Sequence, residues 1–167
     1  MKIKLLLTGG TFDKEYNELT GQLEFDKSHI HDMLIVSRTT CDIQVDQLLL
    51  KDSLDMTQTD RDLIVDDCRK TPEEHIVITH GTDTMTETAQ ALLRAQLTDK
   101  VIVLTGAMIP YSFGIKSDAM FNLGNALAYV QVLPPGIYIA MNGHYFKADN
   151  VQKDKVIGRF TETTINS

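Results

Sequence analysis

Five short apolar runs constrain this chain more than any other feature: residues 3–7, 43–50, 75–79, 101–104 and 137–141. Each is a near-continuous stretch rich in Val, Ile and Leu, bounded by turn residues. That is the pattern of strands in a parallel sheet covered on both faces. Helical patterns lie between them. Thr57 and Asp60 form a cap with an acidic partner ahead of Leu63, Ile64 and Cys68. Thr84 and Glu87 have capping-box spacing, and Ala89, Leu92, Leu93 and Leu97 continue an apolar face. Ser117 is placed to cap a helix carrying Phe121, Leu123, Leu127 and Val130, and residues 26–38 form an earlier candidate helix. Strand and helix alternating at this rhythm predict an α/β fold. The expected form is a three-layer, doubly wound, mostly parallel sheet in a single domain with right-handed crossovers. No repeat or low-complexity tract interrupts it.

Composition narrows the function classes. The chain of 167 residues carries 16 basic against 23 acidic side chains, a net charge of -7. Phosphate binding needs a basic footprint, and no Lys/Arg cluster is present, so a nucleic-acid partner is not expected; nor is an anionic membrane surface. Cys41 and Cys68 form neither a C-x-x-C pair nor a disulfide framework and are expected to be free thiols. The first apolar run is too short for a signal-peptide core and no stretch has membrane-spanning length, so the expected address is cytoplasmic.

In sheets of this kind ligands bind at the carboxyl ends of the strands. The loops that follow the runs here are rich in small hydroxyl residues. They read Thr8-Gly9-Gly10-Thr11, Asp52-Ser53-Leu54-Asp55, Thr79-His80-Gly81-Thr82-Asp83-Thr84 and Thr105-Gly106-Ala107-Met108. One such loop is explained by turn glycines and helix caps; four together point to a shared crevice. A threonine hydroxyl needs a base or a lowered pKa to act as a nucleophile. Gly9-Gly10 lets backbone N–H groups approach an oxyanion, Asp83 supplies a carboxylate, and a desolvated lysine from elsewhere could serve as base. Competing motifs are weak. The G-x-G-x-x-G and G-x-x-x-x-G-K-[ST] spacings are both absent. His29-x-His31 does not share a helix face and is expected to be ordinary surface, and His80 is expected to support the site structurally or from behind.

These loops resemble the bacterial-type L-asparaginase family. Thr8-Gly9-Gly10-Thr11 is similar to its first signature, and Ile78 to Met85 with Glu87-Thr88-Ala89 is similar to its second. Thr105 to Pro110, Ser117-Asp118, Phe121-Asn122-Leu123, Met141-Asn142 and Val151-Gln152-Lys153 continue the resemblance in order. It implies Thr11 as the nucleophile that forms an acyl-enzyme, with Tyr16 as a lid tyrosine helping to activate it. It implies Thr82, Asp83 and Lys153 as a second triad, with Lys153 on the base side. Ser53 would hold the substrate α-carboxylate, Asp83 the α-ammonium, and Gly10 and Ala107 would make further substrate contacts. Leu54 departs from the family's polar residue and cannot hydrogen-bond a carboxylate.

The resemblance spans nearly the whole chain, but only as the family's amino-terminal domain. Residues 1–167 are therefore expected to be an amino-terminal-type catalytic domain, like the family's short members. Such a domain lacks the acidic residue that the carboxy-terminal domain of full-length members lends to a neighbouring subunit. The expected activity is hydrolysis of L-asparagine to L-aspartate and ammonia, without metal or cofactor, in a homo-oligomer of at least two subunits. The alternatives are a related amide such as glutamine, or a non-catalytic module binding aspartate or asparagine. Residues 11–21, polar and poor in apolar anchors, are expected to be a mobile lid.

Overall fold

The computed structural model describes residues 1–163. Strands β1 (Lys2–Gly9), β4 (Asp42–Lys51), β5 (His75–Thr79), β6 (Val101–Thr105) and β7 (Gly136–Met141) form a parallel sheet, and β8 (His144–Lys147) adds an antiparallel edge. The strand order is β4-β1-β5-β6-β7-β8. The apolar runs expected to be strands thus account for every parallel strand, with ends shifted by at most one or two residues.

Helices α1 (Ile30–Ser37), α2 (Gln58–Lys70), α3 (Met85–Arg94) and α4 (Ala119–Val132) cover the sheet. Alternation along the strands sends successive side chains to opposite faces. Leu6, Ile76, Ile78, Leu104 and Ile139 pack with Ile64, Cys68, Ala89 and Leu92 of α2 and α3. Leu5, Leu7, Val77, Val103 and Ala140 pack with Ile30, Met33, Leu123, Ala126 and Leu127 of α1 and α4. Two cores on two faces of one sheet give the three layers. The chain runs from β1 outward to β4 and then returns to β5 on the other side of β1. This reversal opens a crevice at the carboxyl ends of β1 and β5, the switch point where ligands bind in doubly wound sheets.

Local signals fared unevenly. Thr57 and Asp60 form a reciprocal capping box at the start of α2. Thr84 does not cap α3: its side chain makes no cap bond, and its hydroxyl instead donates to the Ser53 carbonyl at 2.7 Å. Ser117 does assist α4, accepting the Ala119 N–H at 3.1 Å. The segment expected to be a mobile lid carries local structure of its own. Residues 11–13 form a short 3-10 turn, and β2 (Lys14–Asn17) pairs with β3 (Gln22–Phe25) in an antiparallel hairpin. Phe12 and Asp13 are both fully buried and pin its base. A second small hairpin, β9 (Gln152–Asp154) with β10 (Arg159–Thr161), follows β8. Both cysteines are free, and burial pushes the Cys68 thiol up to about 12, so it is inert at neutral pH. Among the described residues no helix is long and apolar enough to cross a membrane.

Candidate active site

The crevice is assembled by close backbone approach. Gly10 has φ 85°, a left-handed conformation that disfavours any side chain, and a Cβ there would lie 2.4 Å from the Gly81 nitrogen. Gly81 in turn lies against Ser53, where a Cβ would sit 2.6 Å from the hydroxyl oxygen. The loops after β1, β4 and β5 are therefore in contact through the two glycines. The Gly10 N–H donates to the Lys51 carbonyl at 2.9 Å, which ties the end of β1 to the end of β4.

The loop after β5 is held from behind by His80. The imidazole is fully buried, with Nδ1 2.8 Å from the Gly81 carbonyl and Nε2 2.8 Å from the Thr88 hydroxyl. The carbonyl can only accept, so Nδ1 carries the proton and Nε2 accepts from Thr88. Burial, more than the nearby Arg61 charge, lowers the imidazole to about 4 and keeps it neutral. A neutral histidine with both nitrogens engaged is a brace.

On the front of that loop Lys153 reaches in from β9. Its ammonium donates to the Thr82 hydroxyl at 2.8 Å and to Asp83 Oδ1 at 2.9 Å. The small hairpin aims it. Phe160 lies directly across from Lys153, and both Phe160 and Val151 are buried in the α2–α3 core. The lysine side chain is 10% exposed, the aspartate 42%, so the pair sits at the edge of solvent.

The other expected residues are distributed as follows. Thr11 stands half-exposed in the turn between Gly10 and buried Phe12, and its hydroxyl makes no hydrogen bond to another described residue. Tyr16 is 59% exposed on β2, and its hydroxyl lies beside Gly21, 4.0 Å from where a Cβ would stand. No hydrogen bond joins it to Thr11 among the described residues. Ser53 is buried, its hydroxyl facing the Thr84 N–H at 3.4 Å. Ala107 is completely buried against the α4 side of the core and does not reach the crevice surface. Leu54 is 67% exposed and points away from the core.

Some supporting residues were not singled out by the sequence. Asn122 donates to the Gly106 carbonyl at 2.9 Å and accepts from the Asn142 N–H at 3.1 Å, bracing the ends of β6 and β7. Asp118 accepts the N–H groups of Met108 and Ile109 at 3.0 Å, fixing the loop after β6. Both lie in the Ser117 to Leu123 segment, which was read for its helix and as part of the family resemblance, with no role given to either residue. A cavity of about 580 Å³ opens beside that segment, lined by Asn142, His144, Arg159 and Phe160 among others; neither Thr11 nor Thr82 lines it.

Fold and crevice together define the class: a doubly wound α/β domain with a Thr-Asp-Lys cluster and a second threonine at its switch point. The family described as "Asparaginase, N-terminal" matches residues 2–160. The glutaminase-asparaginase of Acinetobacter glutaminasificans is 40% identical over 104 residues, covering 57% of this chain and 31% of that protein. L-asparaginase 1 of Escherichia coli is 33% identical over 141 residues, covering 75% and 39%. The crystal structure of L-asparaginase I from Vibrio cholerae superposes with TM-score 0.86 at 26% identity, over 98% of this chain and 52% of that one. The chain thus spans about a third to a half of the length of these relatives. It belongs to the asparaginase family, which it matches through the amino-terminal domain.

Proposed function

We propose that this domain hydrolyses L-asparagine to L-aspartate and ammonia through a threonine acyl-enzyme. The observation that carries the reading is the hydrogen-bonded set of Lys153, Thr82 and Asp83 across from an unengaged Thr11 hydroxyl. In this reading Thr11 attacks the side-chain amide carbon and its proton leaves to a base. The amide nitrogen departs as ammonia once protonated, and water then cleaves the ester. Thr82 and Lys153 carry protons at the site: once the Lys153 ammonium has given a proton to the departing nitrogen, its amine takes the Thr82 proton, and Thr82 is thereby made an acceptor. Asp83 orients Lys153 and holds the substrate α-ammonium, while the buried Ser53 hydroxyl and the backbone around Gly10 receive the α-carboxylate. Tyr16 reaches Thr11 only if the hairpin side chain turns inward. Ala107, whose side chain is buried, takes part only through its backbone.

Residues 1–167 act in this proposal as the catalytic domain, in a homo-oligomer. The exposed apolar side chains of Phe113, Ile115, Val156 and Ile157 support self-association. Light scattering at micromolar concentration is expected to give at least a dimer; a fully active monomer would overturn that part. The reaction itself is tested by ammonia release from asparagine, glutamine and a simple amide lacking the α-carboxylate. Release from asparagine above the other two is expected. Preference for glutamine shifts the substrate, and binding of aspartate without any release identifies an idle binding module.

A further inference from the structure

We propose that Asp13, His29 and Glu15 are positioning residues that fix the Thr11 turn and the β2–β3 hairpin as one unit over the crevice, an inference that rests on the proposed role of Thr11. The segment between Thr11 and Tyr16 is fastened residue by residue to different parts of the fold. Asp13 is fully buried, and its Oδ1 accepts from the Ser28 hydroxyl at 2.8 Å and the His29 N–H at 3.1 Å. Lys14 pairs with Asp52, the residue before Ser53, and its carbonyl accepts from the Ser112 hydroxyl at 3.0 Å. Glu15 Oε1 lies 2.9 Å from His29 Nε2, at ion-pair distance although the N–H is not aimed along the contact.

His29 is the hub. Its backbone N–H holds Asp13 while its ring reaches Glu15, so one residue grips both ends of the three-residue segment. The ring is also packed on Tyr111, with centroids 5.6 Å apart. It is only 7% exposed, contrary to the expectation of an ordinary surface histidine. Side chains alternate along a strand, so fixing Glu15 on one face of β2 fixes which face Tyr16 presents. The arrangement is costly for mere anchorage. Asp13 Oδ2 is buried without a partner, and burial raises the carboxyl above its usual range. An asparagine would keep the two hydrogen bonds without burying a carboxylate.

The test compares wild type with His29→Ala, Glu15→Ala and Glu15→Gln by hydrogen exchange and by ammonia release. In His29→Ala and Glu15→Ala, the amides of residues 12–25 are expected to exchange about tenfold faster, with α2 and β5 unchanged. Turnover is expected to fall at least about tenfold while KM for asparagine moves less than about threefold, because Ser53, Asp83 and Lys153 are untouched. Glu15→Gln keeps the side chain's reach and packing beside His29 without its charge, and both readouts are expected to fall between wild type and Glu15→Ala. The proposal is overturned if hairpin exchange is unchanged in both alanine variants, or if exchange rises throughout the protein. Unaltered turnover with a loosened hairpin also overturns it. Should His29→Ala not fold, the half-exposed Glu15 can be removed without harming the core, and Glu15→Ala decides. If wild type releases no ammonia from any amide, the asparaginase reading fails, while the exchange comparison still decides the fastening of the hairpin.

Discussion

On one side of the crevice Thr82 is held by Lys153, which is held by Asp83, and the loop that carries them is braced from behind by His80. On the other side Thr11 has a fixed backbone and an unengaged hydroxyl, and Tyr16 points along its own hairpin. The first arm is hydrogen-bonded within the protein; the Thr11 hydroxyl of the second has no such bond among the described residues. Preorganised donors are most useful where charge moves, because they need no rearrangement at the moment of reaction. A nucleophile, by contrast, gains from being left unbonded until substrate arrives. The asymmetry therefore fits proton handling at Thr82 and attack at Thr11.

The sharpest break of that comparison is to remove each hydroxyl. Thr11→Val is expected to lower asparagine turnover by about ten-thousandfold, since covalent catalysis is lost. Thr82→Val is expected to cost about a thousandfold through the lost proton relay, and the double variant little more than Thr11→Val alone. Mass spectrometry after rapid acid quench distinguishes them: an acyl adduct is expected with Thr82→Val and not with Thr11→Val. An adduct that survives Thr11→Val exchanges the roles of the two arms.

Lys153 sharpens it next. Lys153→Met should reduce turnover by about a thousandfold and leave Asp83 without its cation. Lys153→Arg keeps the charge but not a transferable proton near neutral pH, so it should restore stability and not turnover. Recovery of turnover by arginine would reduce Lys153 to a charge that holds Asp83.

How much of this was legible in the chain depends on sequence distance and on pattern. Four of the parallel strands were legible because residues buried on both faces leave near-continuous Val, Ile and Leu runs; the edge strand β4 is only partly buried and was legible from Ile43, Val45 and Leu48 to Leu50. Lys14 to Asn17 and Gln22 to Phe25 were not, because their burial is partial and their pairing is set by Phe12 and Asp13 packing beneath them. Thr82 and Lys153 are 71 residues apart, and no local pattern links them; the resemblance alone pointed to Lys153. Thr84 misled for a physical reason. Its spacing to Glu87 suits a capping box, but Glu87 is drawn to Arg61 at 2.7 Å and the hydroxyl to Ser53.

The bracing of the Thr82 arm can be broken by acid. His80 has a folded pKa of about 4 against an ordinary value of 6.5, so the native state holds it neutral and the unfolded chain takes up the proton first. Its contribution is fully present above pH 6.5 and is lost as pH falls toward 4. That loss is on the order of 3 kcal/mol at the acid end. Thermal melts of wild type should therefore fall across this window, and His80→Gln should flatten the fall even though it melts lower at pH 8. Parallel pH profiles for the two proteins would remove His80 as the acid-sensitive brace.

The smallest effect expected is at Thr84, and it separates placing a substrate from transforming it. Thr84 touches neither threonine of the two arms; its hydroxyl and N–H hold the carbonyl and hydroxyl of Ser53. Losing one such hydrogen bond costs about 1 kcal/mol. Thr84→Ala should therefore lower stability by that amount and loosen the Ser53 turn, without touching Lys153 or Thr11. A loosened carboxylate contact that weakens ground and transition states alike raises KM and leaves kcat in place. We expect KM for asparagine to rise roughly fivefold, in line with about 1 kcal/mol, with kcat within twofold. An amide lacking the α-carboxylate should show no such rise, and Thr84→Ser should restore the wild-type KM by returning the hydroxyl. A fall in kcat at constant KM would place Thr84 with the Thr82 arm, and the division of labour between the arms would have to be redrawn.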